Sequence, residues 1–325
     1  MKLVSIVVPN YNCEEFLPKC LDSVINQTYR NTEIIICDNG SSDRSVEILN
    51  EYAAKDSRIK VLINEENQGL INCYNRMFFA ATGDYIMIQD ADDWADLTRV
   101  EKQAAIMDEH GVGLCLTDSY YHSPLFPTSR VQRNYNGPIY AADEETWAPA
   151  TIMFRREVLN EIPGFHSYFD RLTSYDRYFI LDIISRYGGY YIDECLYHVW
   201  ARPNSDHRSI DLTDKRAIKK LISEDIYYKL KEQRVKSGTD YLKENNTDGM
   251  EKLEGPMLHN KVFVADKLRL MACIQIDYGN LKAAKQLLLN AIKIAPFFSK
   301  NYRSLLYYYK ANRAQESSGA QPKLA

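Results

Sequence analysis

The chain has 325 residues, of which 45% are hydrophobic, 40 are basic and 44 are acidic, giving a formal net charge of −4. This length suits one large α/β domain with an appended region, and the hydrophobic fraction is sufficient for a sizeable core. The balanced charge does not predict a nucleic-acid partner, although it leaves room for a local site that binds an acidic ligand.

The cysteines and the first residues bear on the cellular compartment. Seven cysteines are scattered without a CxxC pair or a zinc-type cluster with histidine, so we expect reduced thiols in a cytoplasmic protein. The start, MKLVSIVVPNYN, has too short an apolar run before Pro9 for a signal peptide. No later run approaches about 18 apolar residues, so no membrane span is expected.

Short β-branched runs alternate with helically spaced stretches through the first 200 residues. The predicted strands are Val4–Val8, Glu33–Cys37, Ile59–Ile63, Tyr85–Ile88 and Leu114–Thr117. Helical spacing follows the first strand in CEEFLPKCLDSVINQ and the second in SSDRSVEILNEYAAK. The alternation predicts an α/β fold with a mostly parallel sheet and helices on both faces.

Polar side chains follow the first two strands. After the second strand, Asp38 precedes Gly40, and its carboxylate is expected to be free to accept hydrogen bonds from a base or sugar. An Asx-type turn is the alternative for this segment. After the first strand, Pro9 is expected to stiffen a turn and Tyr11 offers a flat face for stacking.

Three carboxylates follow the fourth predicted strand in the segment QDADDW. An extended backbone would direct Asp90 and Asp92 to the same side, with Asp93 pointing elsewhere. Ligands bind beyond the strand ends in open α/β sheets, and carboxylate oxygens suit Mg²⁺ or Mn²⁺. The alternative is that Asp92 or Asp93 caps a helix beginning near Trp94. We favour the ligand site, because one carboxylate suffices for a cap and crowded like charges are costly without a cation.

From about Asp211 the strand-like runs stop and long amphipathic segments rich in lysine and tyrosine follow. We therefore predict an α/β domain over residues 1–210, a helical C-terminal region over 211–316 and a disordered tail over 317–325. Residues 278–311 resemble one unit of a tetratricopeptide-type hairpin. Because one unit cannot form a solenoid, we favour a simple helical hairpin over a peptide-binding array.

Two longer segments carry more information than any single motif. They are VSIVVPNYNCEEFLPKCLDSVINQTYRNTEIIICDNGSSDRS and NEENQGLINCYNRMFFAATGDYIMIQDADDW. Residues 4 to about 110 thereby resemble the nucleotide-sugar-binding half of a family 2 glycosyltransferase with the GT-A fold, a Rossmann-like sheet. Residues 111–210 would form the acceptor half. The resemblance implies inverting transfer of a sugar from a nucleoside diphosphate sugar, chiefly a UDP-sugar, to an acceptor hydroxyl.

The resemblance also implies a cofactor, an acceptor class and site residues. The cofactor would be Mn²⁺ or Mg²⁺, and the acceptor a saccharide or lipid-linked saccharide in polysaccharide or glycoconjugate biosynthesis. Asp38 would contact the base, Asp90 the nucleotide sugar and Asp92 the metal. The other residues assigned to the nucleotide sugar are Pro9, Tyr11, Asn39, Asn67, Gly69, Asn75 and Ala91. Asp93 and His207 are the further candidate metal ligands.

The chain departs from the family pattern in four segments. Asn39 replaces the second aspartate of the usual DDGS, and Tyr74 replaces the arginine of the usual ARN, so the donor contacts are expected to differ. A proline usual after the Asp-x-Asp motif is also missing. Further on, SYDRYFILDIISRYG has Tyr175 where many relatives have glutamate, but it retains Asp176.

Asp176 is the predicted catalytic base, because inverting transfer needs a carboxylate that takes the proton from the acceptor hydroxyl. Helix capping by Ser174 or Asp176 is the alternative. Asp182, six residues further along the helix, is the weaker candidate and is expected on a solvated face.

The last helices carry a second set of expectations. From Leu281 to Arg313 there are seven Lys or Arg and no acid, with aromatic residues interleaved. Such a surface suits peripheral contact with the inner face of a membrane, although a packed helical pair with a basic solvent face is favoured.

Two other functions remain open alternatives at this point. A sugar-phosphate nucleotidyltransferase would usually carry a loop rich in glycine and basic residues after its first strand, and VVPNYNCEEF has none. A catalytically inactive GT-A-fold protein that only binds a nucleotide is the second alternative. The retained carboxylates, Asp38, Asp90, Asp92 and Asp176, argue against it.

Overall fold

The computed structural model of the chain describes residues 1–124, 126–140, 149–201 and 216–318, the last five by their backbone only. Residues 1–201 and residues 202–325 form two compact units. Each unit is described by itself.

The described part of the first unit is built on a ten-stranded sheet. The strands are β1 Val4–Asn10, β2 Thr32–Asp38, β3 Ile59–Ile63, β4 Tyr85–Ile88, β5 Trp94–Ala95, β6 Leu114–His122, β7 Ser129–Val131, β8 Gly137–Ile139, β9 Met153–Arg155 and β10 Gly189–Trp200. Their order is β3-β2-β1-β4-β9-β6-β10-β5, with β7 on β6 and β8 on β10. Strands β3, β2, β1 and β4 are parallel, and β9 runs antiparallel to both β4 and β6.

Helices cover both faces of this sheet, as predicted. They are α1 Leu17–Ile25, α2 Ser45–Lys55, α3 Leu70–Ala80, α4 Arg99–His110 and α5 Tyr175–Tyr187. Helices α1, α2 and α4 contribute residues such as Leu21, Leu49 and Val100 to one core cluster, which also contains residues of β1. On the other face, Phe78 of α3 and Phe179 of α5 pack edge-on against Phe154 of β9. The α/β class and the mostly parallel central sheet are therefore confirmed.

Four local expectations are wrong. β1 continues to Asn10, so Pro9 lies inside a buried strand instead of a turn. Trp94 belongs to β5, and α4 begins only at Arg99, so neither Asp92 nor Asp93 caps a helix. Asp182 is 8% exposed, because α5 buries residues on nearly every side from Tyr178 to Ile184. The sequence patterns also missed β9 and β10, which are buried on both faces or interrupted by a bulge.

The second unit is helical, as predicted. Its described helices are α6 Ala217–Ser237, α7 Thr247–His259, α8 Lys261–Asp277, α9 Leu281–Ile294 and α10 Ser299–Ser318. Asn246, Asn260 and Asn280 each accept a hydrogen bond from a backbone amide in the first turn of α7, α8 and α9, which ends the preceding loop. Small residues such as Ala272 and Ala284 let α8 and α9 pack closely. None of the described helices is both long and apolar enough to cross a membrane.

Candidate functional site

The loops after β1 and β2 are joined at the carboxyl edge of the sheet. Asn10 and Asp38 are register partners at the ends of these two strands. The backbone N–H of Asn39 donates to the Asn10 carbonyl at 2.8 Å, and the Asn10 side-chain amide donates to Asp38 Oδ1 at 2.7 Å. The parallel strands thus bring the predicted strand-end residues to one edge, where open α/β sheets bind ligands.

Asp38 is buried instead of presenting a free carboxylate. Its Oδ1 accepts hydrogen bonds from Asn10 and from the Ser41 hydroxyl, and its Oδ2 accepts from the Ser41 backbone N–H at 3.0 Å. Gly40 closes this turn with a φ of 77°, and a Cβ there would lie 2.7 Å from the Glu66 backbone. The Asx-type turn therefore describes Asp38 better than the expected free acceptor, because the turn brings Ser41 back onto the carboxylate.

Asn39 ties the β2 loop to the loop that precedes α3. Its amide nitrogen donates to Asn67 Oδ1 at 3.1 Å, and its amide oxygen accepts from Asn64 at 2.8 Å. Asn67 Oδ1 also accepts from the Gly69 backbone N–H at 2.9 Å. An ionised aspartate at position 39 could accept but not donate. The replacement of the usual aspartate thus has a structural reason, and the resulting network joins Asn39, Asn67 and Gly69.

The remaining residues predicted to bind the nucleotide sugar differ in how exposed they are and in which groups they contact. Tyr11 is 47% exposed, so part of its side chain is accessible to a ligand. Pro9 and Ala91 are buried, and Ala91 packs in the core. The Asn75 side chain donates to the Phe165 carbonyl at 3.0 Å and accepts from the Phe165 N–H at 2.8 Å, so it holds that loop.

Two buried tyrosines hold the acid cluster beyond β4. The Tyr74 hydroxyl donates to Asp90 Oδ1 at 2.7 Å, and the Tyr197 hydroxyl accepts from the Asp90 backbone N–H at 3.1 Å. Asp93 is buried, and its Oδ1 accepts from the Trp200 backbone N–H of β10 at 2.7 Å. Asp90 and Asp92 are only partly buried, so these two carboxylates remain accessible at the edge of the sheet.

The crowded charges shift the pKa of several groups. Burial, with the charges of Asp92 and Asp90, raises the pKa of Asp93 well above its usual range, although hydrogen bonds from Trp200 and Tyr197 act in the opposite direction. Burial and the neighbouring Asp90 also raise the pKa of Tyr74 and of Tyr197 well above the usual value. Both tyrosines are therefore neutral at physiological pH, and Tyr74 remains a hydrogen-bond donor to Asp90.

Arg99 is a charged residue at this edge that the sequence analysis did not single out. It is completely buried, its guanidinium lies 4.8 Å from the centre of the Tyr197 ring, and it donates to Gln89 Oε1 at 3.2 Å and to Gln103 Oε1 at 3.0 Å. Burial lowers its pKa to about 10, whereas Tyr197 and Asp90 favour the charged form. Arg99 is thus a fixed cation behind the acids. The polar pair at positions 99 and 103, on the buried face of α4, is the sequence signal that could have revealed it.

Tyr74 and Tyr175, two of the departures from the family pattern, lie close together in space. The Tyr74 ring lies 6.5 Å from the Tyr175 ring and 5.1 Å from the Phe165 ring, measured between centres. Tyr175 is the first residue of α5 and is followed by Asp176, whose Oδ1 accepts from the Arg177 backbone N–H at 2.7 Å. The Ser174 side chain does not cap the helix. Tyr74 therefore links the residue before the predicted base to Asp90.

The carboxylates at this edge suit a divalent cation whose coordination shell is completed by a bound ligand. Within the described ranges, no group of three or more His, Cys, Asp and Glu side chains could hold a metal alone. Mg²⁺ typically takes one or two carboxylates and completes its shell with phosphate oxygens and water, which is what Asp90 and Asp92 could support. The predicted ligand His207 lies outside the described residues.

His198 of β10 lies in a cluster of aromatic rings with Trp94 and His122. Its ring stacks on Trp94 with centres 5.0 Å apart, and its Nδ1 is 3.0 Å from His122 Nε2. Burial and the neighbouring His122 lower the pKa of His198 to about 4, so the pair is neutral at physiological pH.

Comparisons with known proteins agree on one family. The model for "Glycosyl transferase family 2" matches residues 5–171, just over half of the chain. EpsE of Bacillus subtilis strain 168, which is named as a glycosyltransferase, is 32% identical over 215 residues, covering 62% of this chain and 74% of EpsE. Chondroitin synthase of Escherichia coli is 32% identical over 181 residues, covering 54% of this chain and 26% of that longer protein.

Two solved structures share the fold at low sequence identity. S. aureus TarS residues 1–349 in complex with UDP-GlcNAc has a TM-score of 0.62 and 16% identity, covering 100% of this chain and 94% of that chain. The mannosyltransferase PcManGT from Pyrobaculum calidifontis, in complex with GDP-Man and Mn²⁺, has a TM-score of 0.55 and 14% identity, covering 98% and 88% respectively.

Proposed function

The chain belongs to glycosyl transferase family 2, and from this premise we propose that it is a metal-dependent, inverting hexosyltransferase with a UDP-sugar as donor. The observation that carries the proposal is the convergence of three strand ends, with Asp38, Asn39 and Asp90, at one edge of the sheet. The UDP-GlcNAc bound to TarS supports a UDP-sugar. The family match gives no support to a nucleotidyltransferase.

We assign the diphosphate end of the donor site to Asp90 and Asp92. Both carboxylates are partly accessible, and Tyr74 and Tyr197 hold the Asp90 side chain and backbone in place. A bound Mn²⁺ or Mg²⁺ would supply charge neutralisation for the leaving diphosphate. Asp93 is buried, and its bond to Trp200 assigns it to positioning the segment instead of direct ligation.

We assign the nucleoside end to the loops after β1, β2 and β3. Tyr11 offers an exposed ring, and the exposed Asn67 lies on the network that Asn39 organises. The buried Asn10 Oδ1 has no hydrogen-bond partner among the described residues, so a donor group of the base could satisfy it. Asp38 acts in this scheme by holding Asn10 and Ser41 in position.

Asp176 is assigned as the base that takes the proton from the acceptor hydroxyl. It lies in the first turn of α5, one residue after Tyr175, whose ring neighbours the Tyr74 ring. A carboxylate positioned within hydrogen-bond reach of a hydroxyl can take its proton, and the neighbouring tyrosine rings offer apolar surface to an acceptor. The acceptor is assigned as a saccharide or lipid-linked saccharide of polysaccharide biosynthesis, in keeping with the names of the relatives.

A panel of nucleotide sugars with Mn²⁺ tests the proposal. Thermal unfolding is measured with UDP-glucose, UDP-galactose, UDP-GlcNAc and GDP-mannose, and hydrolysis of each donor is followed in parallel. A donor present at 100 times its dissociation constant should stabilise the protein by about 2.7 kcal/mol. If neither a nucleotide sugar nor a nucleoside diphosphate stabilises the protein with metal, the proposal fails.

Two substitutions separate the assigned roles. Asp92→Asn should lose the metal-dependent part of nucleotide binding, whereas Asp176→Asn should keep binding and lose transfer by about 10²- to 10⁴-fold. Glu109→Gln, on the exposed side of α4, is the matched control and should change neither quantity. Loss of nucleotide binding in the Asp176 variant would remove the base assignment. Intact binding by the wild type with no transfer to any acceptor would favour the inactive nucleotide-binding protein.

A further inference from the structure

Charge is distributed unevenly between the helices of the second unit. In α6 to α8, several basic side chains have acidic partners, as in Lys219–Glu254 at 3.0 Å and Lys267–Asp225 at 2.6 Å. Between Leu281 and Arg313 there are seven Lys or Arg and no acid. Among the described residues, none of these seven side chains forms an ion pair. The positive charge of α9 and α10 is therefore not compensated within the described part of the unit.

The same two helices expose apolar side chains in an ordered pattern. On α10, Tyr302, Leu306 and Tyr309 are 45%, 64% and 51% exposed, and their spacing of four and three residues places them on one helix face. Arg303 and Lys310, seven residues apart, form an exposed basic stripe beside that face. A helix with apolar residues facing solvent next to a basic stripe has the arrangement of an interfacial helix.

The turn between α9 and α10 carries the most exposed aromatic residue of this region. Phe297 is 99% exposed, and the exposed lysines Lys293 and Lys300 stand on either side of it in the sequence. A fully solvated phenylalanine is unfavourable in water, but it gains free energy when it enters an apolar phase. Flanking lysines can remain at a negatively charged surface while the ring is buried.

We propose that α9, the 295–298 turn and α10 form a peripheral docking surface for an anionic lipid bilayer. An anionic bilayer satisfies both features together, because its headgroups attract the unpaired cations and its interface accepts the aromatic and aliphatic side chains. A nucleic acid would use the cations but would leave Leu306 exposed. This proposal rests on the second unit alone and does not depend on the proposed enzymatic function.

Vesicle flotation of the full chain tests this surface. Vesicles of phosphatidylglycerol and phosphatidylcholine are compared with phosphatidylcholine alone, at about 150 mM salt, where surface charges more than about 8 Å apart are screened. The wild type should float with the anionic vesicles and remain unbound with the neutral ones. Absence of flotation with anionic vesicles would overturn the proposal.

Matched double variants locate the surface. Lys293→Glu/Lys300→Glu should reduce binding to anionic vesicles at least about tenfold, because it reverses two charges beside Phe297. Lys252→Glu/Lys261→Glu makes the same charge change on exposed sites of α7 and α8 and should bind like the wild type. Equal losses in the two doubles would overturn the proposal, because they would indicate a response to net charge only.

A third variant tests the contribution of the exposed apolar side chains to bilayer binding. Phe297→Ser/Leu306→Ser keeps every charge, and it should weaken binding several-fold because it removes the most exposed apolar side chains of the turn and of the α10 face. Unchanged binding would overturn insertion of this turn. All variants are checked for wild-type helix content and unfolding temperature, and hydrolysis of a soluble nucleotide sugar should be unaffected, so failure here is distinct from failure of the enzymatic proposal.

Discussion

Glu33 at the amino edge of the sheet and Asp93 at the carboxyl edge are equally buried, at 6% and 5% exposure, but their surroundings differ. Glu33 of β2 accepts hydrogen bonds from the Ser5 hydroxyl at 2.6 Å, from the Thr82 N–H at 2.7 Å and from the Lys60 ammonium at 2.6 Å. Asp93 accepts from the Trp200 N–H and stands beside two further carboxylates.

The pKa values of the two carboxyls move in opposite directions for this reason. Burial acts to raise the pKa of Glu33, but its bonds with Lys60, Ser5 and Thr82 outweigh burial and lower it to about 2. Burial raises the pKa of Asp93, and the charges of Asp92 and Asp90 raise it further. At the amino edge, Lys60 and neutral donors stabilise the buried Glu33 carboxylate. At the carboxyl edge, Asp90 and Asp92 supply negative charge that a bound cation can neutralise. We infer that one edge serves stability and the other serves binding.

The largest effect is expected from the tyrosine that holds Asp90. Tyr74→Phe removes the hydroxyl that donates to Asp90 Oδ1 at 2.7 Å, and it keeps the aromatic packing. Loss of such a supporting bond should weaken metal-dependent nucleotide binding about 10- to 100-fold. Isothermal titration of Mn²⁺ with UDP measures this directly, without turnover.

Tyr85→Phe is the matched control at the amino edge. It also removes a hydroxyl-to-carboxylate bond, from Tyr85 to Asp108 Oδ1 at 2.6 Å. It should lower stability slightly and leave nucleotide affinity unchanged. Equal losses of affinity in the two variants would contradict the inference that the carboxyl edge serves binding and the amino edge serves stability.

The next largest effect is a loss of unfolding free energy on substitution of Glu33 at the amino edge. Glu33→Gln keeps the size of the side chain and one acceptor oxygen, but it removes the charge and places an amide NH2 where Oε2 accepts from Lys60. It should cost about 1–3 kcal/mol of unfolding free energy. Urea unfolding followed by circular dichroism measures the loss, and nucleotide affinity should stay at the wild-type value. An unchanged unfolding free energy would contradict the structural role of Glu33.

The same variant predicts a pH dependence. The folded-state pKa of Glu33 is about 2, below the ordinary value of 4.5, so its contribution to stability is complete above pH 4.5 and is lost as pH falls toward 2. Glu33→Gln should therefore flatten the decline of unfolding temperature in that interval. A decline as steep as that of the wild type would indicate that other groups cause it.

The smallest effect is expected from the histidine pair on β6 and β10. Because the folded-state pKa of His198 is about 4 and its ordinary value is 6.5, folding favours the neutral ring, and stability should fall as pH drops from 6.5 toward 4. His198→Gln should reduce this slope, and His259→Gln on α7 should not. Identical slopes in all three proteins would show that the pair does not titrate in this way.

Several site residues could be predicted because their signals are local. Strand ends followed by polar residues located the loops of Asn39 and Asp90, and the long motifs indicated the family that the comparisons then showed. Other features depend on partners far away in the chain. Asp93 bonds Trp200 across 107 residues, and Tyr197 reaches Asp90 across the same separation. No periodicity or turn chemistry carries such a signal.

The sequence alone determined the α/β alternation, the parallel first half of the sheet and the helical second unit, because apolar periodicity and turn residues act within a few positions. It also placed the carboxylates at strand ends. Only the tertiary structure decided that Asp38 is buried in a turn and that Tyr74 donates a hydrogen bond to Asp90. It also decided that the buried Arg99 lies against the Tyr197 ring. Burial and hydrogen-bond partners depend on how separate segments of the chain pack. Because both shift pKa values, packing decides the protonation state of the site residues.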